Sequence, residues 1–150
     1  MSKQKVSNET IFVQIASYRD PELLPTIKDC LANAKYPENL RICIAWQHAE
    51  EDEWDNLDEY KNDPRFKIMD IHYKDAKGVC WARNRLQRHY NGEKYTLHLD
   101  SHHRFSKNWD ETLINMLKGL QKKGHKKPLL TAYLPGYFPN NDPEGSNNEV

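Results

Sequence analysis

Asp100 and His102 stand two residues apart, directly after the run Tyr95-Thr96-Leu97-His98-Leu99. That run alternates and reads as a strand, and its apolar pattern stops at Asp100. Ser101, His102, His103 and Arg104 follow. In an open α/β sheet, ligands bind just beyond the carboxyl ends of strands. A carboxylate oxygen and an imidazole nitrogen at such an end can converge on one divalent cation. The mixed O/N donor set suits Mn²⁺ or Mg²⁺, and Zn²⁺ also. The same spacing fits an aspartate that caps the next turn beside solvated histidines. Spacing alone leaves these readings level.

Two further stretches carry groups that could face a ligand. Ser17-Tyr18-Arg19-Asp20-Pro21-Glu22 follows the β-prone run Ile11–Ala16. Ser17 and Arg19 could contact a nucleotide there. Arg19 could equally pair with Asp20 or Glu22 on the surface. Asp20 reads as a helix N-cap, with Pro21 at the first helical position and Leu23, Leu24, Ile27, Leu31 and Ala34 at helical spacing behind it. The second stretch is Gly78–Gln87, in which Gly78 permits a close approach at a helix entry and Arg83 can reach a diphosphate or an acidic partner. A surface ion pair is the competing reading for Arg83.

These stretches need elements to hold them. Leu40–Trp46 reads as a second strand and Phe66–Tyr73 as a third. The acidic cluster Glu50–Glu53 reads as a solvated loop or helix start, and Trp54, Leu57 and Tyr60 as a short helix. The helix after Gly78 is expected to run to about Tyr90, before the turn pair Asn91-Gly92. Trp109, Leu113, Met116, Leu117 and Leu120 share a helical face, and Leu129–Tyr133 reads as a fifth strand. Strands alternating with helices imply an α/β fold with a mainly parallel sheet flanked by helices. No G-x-G-x-x-G or G-x-x-x-x-G-K-[ST] occurs, so dinucleotide dehydrogenases and P-loop proteins lose their main support.

Composition narrows the classes further. The chain has 150 residues, enough for one domain, with loose ends expected at 1–9 and from about 136 to 150. Its 22 basic and 22 acidic residues remove the electrostatic case for a nucleic-acid partner. No run is long and apolar enough to be a transmembrane segment, and the polar start, Met1-Ser2-Lys3-Gln4-Lys5, leads to no signal core. A cytoplasmic location is the expectation. Cys30, Cys43 and Cys80 form no CxxC pair and an odd count, against a disulfide framework.

Strand-Asp100-Ser101-His102 resembles the DxH metal motif of GT-A glycosyltransferases such as the polypeptide GalNAc-transferases. The wider pattern resembles a narrower group, the cytoplasmic hydroxyproline GlcNAc-transferase-like family. Ile15–Leu23, Gly78–Arg83, Leu99–Phe105 with Asn108-Trp109-Asp110, and Leu130–Tyr137 carry it, in the same order and over nearly the whole chain. The resemblance implies a GT-A (Rossmann-like) nucleotide-sugar-binding domain. Asp100 and His102 would hold Mn²⁺ or another divalent cation against the diphosphate of a UDP-sugar donor, with UDP-GlcNAc the first choice. Ser17, Tyr18 and Arg19 would lie on the uridine side, and Arg83 near the phosphates. Family members continue past Leu134-Pro135-Gly136-Tyr137. The resemblance therefore implies that the C-terminal part of the fold, with acceptor-binding elements and a further metal ligand, is missing. An exposed edge or apolar face would then favour self-association.

Three functions remain in view. One is glycosyl transfer to an unknown acceptor, protein or glycan. Another is donor binding without transfer. The third is a metal-dependent hydrolase using Asp100, His102 and His103, completed by a distant ligand such as His72 or His125. No residue is nominated as catalytic base or nucleophile.

Overall fold

Four strands form one sheet with every pairing parallel: β1 (Ile11–Tyr18), β2 (Leu40–His48), β3 (Phe66–His72) and β4 (Tyr95–Asp100). Their order is β3-β2-β1-β4. β1 and β2 are the inner pair, and almost every side chain along them is buried or nearly so. Strands covered on both faces read as continuous apolar runs. β3 and β4 are the edges, and their burial alternates. The structure, a computed structural model, describes residues 9–145. The loose ends expected over residues 1–8 and 146–150 lie outside the described residues.

The helices are α1 (Leu23–Asn33), α2 (Val79–Gln87) and α3 (Trp109–Lys122). The chain divides into two compact units. One runs up to Ala32 and resumes over Tyr36–His103; the other is Asn33–Lys35 with the chain from Arg104 onward.

In the first unit, α2 packs Ala82 and Leu86 against Phe12, Cys43 and Ala45, with Ala16, Met69, Ile71 and Trp81 around them. Side chains alternate along a strand, so Phe12, Gln14 and Ala16 share the face that α2 covers. Asp100 lies beside Ala16 in register and belongs to the same face. The connection through α1 leads from β1 toward the β3 edge. The connection through α2 returns from β3 to β4 on the other side of β1. Right-handed crossovers in opposite directions place the two helices on opposite faces. The order therefore reverses between β1 and β4, and the crevice at their carboxyl ends is where such sheets bind ligands. The loops that leave β1 and β4 carry Arg19–Glu22 and Ser101–His103.

In the second unit, the start of α3 is tied to residues 33–35. Asn108 N–H donates to the Asn33 carbonyl (2.7 Å), and the Asp110 carboxylate accepts the Lys35 N–H (2.8 Å). Arg104 organises the irregular C-terminal stretch. Its Nε donates to the Pro143 carbonyl (2.6 Å), its Nη1 donates to the Tyr137 hydroxyl (2.9 Å), and its guanidinium lies 5.0 Å from the Tyr137 ring centre.

Several expectations need correction. Leu129–Tyr133 is not a strand: the segment is irregular, Leu129 and Tyr133 are fully open to solvent, and no fifth strand joins the sheet among the described residues. A β-prone segment gains nothing from extended backbone without a neighbour to pair with, and Pro128 and Pro135 bracket this one. Trp54 to Tyr60 yields only a short 3-10 turn, Asp58–Tyr60. α2 ends at Gln87 rather than Tyr90. On α1 the buried positions are Leu23, Thr26, Ile27 and Cys30, with Leu24 and Leu31 half-buried. On α3 they are Trp109, Asp110 and Ile114, and Met116 is exposed. Apolar spacing identified these helices but set their buried faces slightly out of rotation.

Candidate functional site

Asp100 ends β4, and its carboxylate is half exposed. Arg83, one turn into α2, donates from Nη2 to Asp100 Oδ1 at 2.8 Å. The Asp100 backbone N–H donates to His103 Nε2 at 3.1 Å. Burial pushes the His103 pKa down and so favours the neutral ring that can accept this bond. His103 is thus turned onto the backbone of its own loop. The loop is held from below by Thr26 of α1, which is fully buried. Its hydroxyl donates to the Ser101 carbonyl (2.8 Å) and accepts the His103 N–H (2.9 Å).

His102 Nδ1 lies 2.8 Å from Asp20 Oδ2, and its side chain is 57% exposed. The same Asp20 oxygen accepts from the buried Ser101 hydroxyl. Asp20 Oδ1 accepts the Glu22 N–H (2.9 Å), closing the turn into α1. Burial raises the Asp20 pKa, but hydrogen bonds from Ser101 and His102 outweigh that and hold it below the usual carboxylate range. Asp100 and His102 are therefore on one loop, each oriented by a charged partner from another element. An exposed carboxylate and an imidazole whose second nitrogen is held by a carboxylate match the donor chemistry of a divalent-cation site and its supporting shell. Among the described residues no group of three His, Cys, Asp or Glu side chains gathers as a complete cage. His72 Nδ1 accepts from the Lys74 N–H (3.4 Å), and His125 belongs to the other unit.

A cleft of about 510 Å³ opens above the ends of β1 and β2, lined among others by Tyr18, Gln47, Tyr73, Lys74 and Gly78. Tyr18 is exposed. Tyr73 follows β3, with the Arg19 guanidinium 4.7 Å and the Lys74 ammonium 5.7 Å from its ring centre. Gly78 takes φ +90°, a conformation that favours glycine, at the entry to α2. A Cβ there would meet nothing within 4 Å, so the backbone angle calls for glycine and close packing does not. Ser17 is buried, and its hydroxyl has no partner in the structure. Its carbonyl accepts from Gln47 Nε2 (2.9 Å), which braces the floor of the cleft.

Arg19 has φ +45°, an unusual angle for a residue with a side chain. Its N–H donates to the Gln47 carbonyl (2.8 Å), and its guanidinium grips Asp52 through Nε (2.6 Å) and Nη2 (2.9 Å). Asp52 holds the Arg19 pKa well above its ordinary value, and Arg19 holds the Asp52 carboxyl low. Arg19 thus pairs with the acidic cluster, and neither Asp20 nor Glu22 is its partner. Asp52 is correspondingly not a freely solvated loop residue; its side chain is 10% exposed. Beneath it, buried Asp55 accepts from Trp46 Nε1 (2.7 Å) through Oδ1, while Oδ2 has no partner. Burial raises the Asp55 pKa. An acid whose folded pKa is raised contributes fully below its ordinary value of 3.8 and loses that contribution as pH rises through the folded value. Asp55→Asn keeps the acceptor for Trp46 and removes the buried charge. Its thermal midpoint is expected above wild type at neutral pH, and the gain shrinks as the scan is repeated at falling pH.

Of the residues singled out in the sequence, Asp100 and Arg83 meet directly, and His102, two residues beyond Asp100, meets Asp20. Ser17 and Tyr18 line the cleft, and Arg19 lies against the ring of Tyr73, another of its lining residues. Asp20, Thr26, Asp52 and Tyr73 belong to the same edge and were not singled out for it. Only Asp20 had a signal, a carboxylate in the loop leaving the first strand, and the helix-capping role absorbed it.

The chain matches the family model described as Glycosyltransferase (GlcNAc), over residues 10–67 and 56–150. No curated protein and no solved structure matches it.

Proposed function

Because the chain belongs to the GlcNAc glycosyltransferase family, we propose that it binds a UDP-sugar, UDP-GlcNAc before others, together with Mn²⁺ or a similar cation, for transfer to an acceptor hydroxyl. The observation that carries this reading is the pairing of Arg83 and His102 with Asp100 and Asp20 at the β1/β4 crevice, beside an aromatic-lined cleft. Tyr18 and Tyr73 offer faces for the base. The entry to α2 offers backbone N–H groups and a positive helix end to phosphate, and Arg83 offers a guanidinium that can move from Asp100 to the diphosphate. Asp100 and His102 are the residues that would hold the cation. When bound, it neutralises the charge that develops on the departing diphosphate. The hydroxyproline GlcNAc-transferase-like group and a cytoplasmic setting belong to the same proposal.

The test is a donor panel: calorimetric titration of UDP-GlcNAc, UDP-GalNAc, UDP-galactose and GDP-mannose in Mn²⁺. UDP-GlcNAc is expected to bind tightest and GDP-mannose not at all. Equal binding of the guanine nucleotide would overturn the uridine assignment.

A further inference from the structure

We infer that Asp20 is a positioning residue for the metal site: it fixes the tautomer of His102 so that Nε2 carries the free lone pair. The inference rests on the metal reading above and deepens it. Asp20 leaves β1, whereas His102 leaves β4, so the contact joins the two loops on either side of the crevice. An ionised carboxylate only accepts hydrogen bonds, so His102 Nδ1 at 2.8 Å must carry the proton. In the neutral ring Nε2 is then the unprotonated nitrogen, the form a metal needs. As a helix-entry residue it uses Oδ1, to the Glu22 N–H, and leaves Oδ2 to Ser101 and His102. One carboxylate thus does two separable jobs with its two oxygens.

Asp20→Asn separates them. Asparagine is as good a cap as aspartate, and its Oδ1 can keep the Glu22 contact. Its Nδ2 then faces His102 and donates where Oδ2 accepted. The ring must answer with an unprotonated Nδ1, which moves the proton to Nε2 and blocks the metal-binding nitrogen.

Two readouts test this on the full chain. Nitrogen-15 NMR of the metal-free protein reports the tautomer of His102, and electron paramagnetic resonance reports Mn²⁺ affinity. Wild type is expected as the Nδ1–H tautomer, and D20N as the Nε2–H tautomer with a thermal midpoint close to wild type. Mn²⁺ affinity is expected to fall about 10–100-fold, the usual effect of losing an outer-shell partner. D20N that matches wild type in tautomer and affinity overturns the role of Asp20 and leaves the metal site standing. Wild type found as the Nε2–H tautomer overturns it with no variant needed. Wild type that binds no Mn²⁺ overturns the metal site itself and the inference with it.

Discussion

Asp100→Ala is expected to lower Mn²⁺-dependent UDP binding by about 100-fold or more, since loss of a direct ligand should exceed the 10–100-fold typical of an outer-shell partner. The fold should be spared. Asp100 closes an edge strand, its side chain is half exposed, and its bond to His103 runs through the backbone and survives the substitution. The ion pair lost to Arg83 is a surface pair, with both side chains at least a third exposed. Such pairs contribute about 1 kcal/mol or less. Calorimetric titration of UDP in Mn²⁺, with a melting curve on the same sample, checks both halves. A variant that melts like wild type and still binds UDP with wild-type affinity in Mn²⁺ would remove Asp100 from the site.

Thr26→Val is expected to cost about 2–3 kcal/mol of stability and to weaken metal-dependent binding alongside. Valine matches threonine in shape, so the change acts through the hydroxyl. Thr26 is fully buried, and that hydroxyl serves the Ser101 carbonyl and the His103 N–H together. A buried donor or acceptor left unsatisfied costs about 1–3 kcal/mol. The two atoms bracket His102, so the loop that carries the proposed ligands loses its anchor. Thr26→Ser keeps the hydroxyl and gives up one methyl, about 1 kcal/mol of burial. It should retain binding. Denaturant titrations order the three proteins as wild type, serine, valine; serine and valine equally destabilised would show that packing, and not the hydroxyl, matters at this position.

What could be read from the sequence followed from burial on both faces. Ile11–Ala16 and Leu40–Trp46 are apolar but for Gln14 and Arg41 because they are the inner strands, and Phe66–Tyr73 alternates because it is an edge. The Asp100 loop was legible because a strand pattern that stops at a carboxylate marks a carboxyl end. Leu129–Tyr133 has the composition of a strand and no neighbour to pair with, and composition does not carry neighbours. The spacing around Arg19 leaves a nucleotide contact and a local ion pair level, because its grip on Asp52, 33 residues away, depends on the loop after β2 folding back over β1. Any of Glu50 to Glu53 offered the same charge. Thr26 is not legible in the sequence, because a single hydroxyl on a buried helix face leaves no mark in the spacing.

Binding of UDP with and without Mn²⁺, measured by calorimetry on the unmodified chain, is the most direct test of a metal-dependent nucleotide-sugar site at the β1/β4 crevice. Saturable binding that appears with Mn²⁺ and is lost on chelation is the expected result. A folded protein that binds UDP equally well in chelator would contradict it.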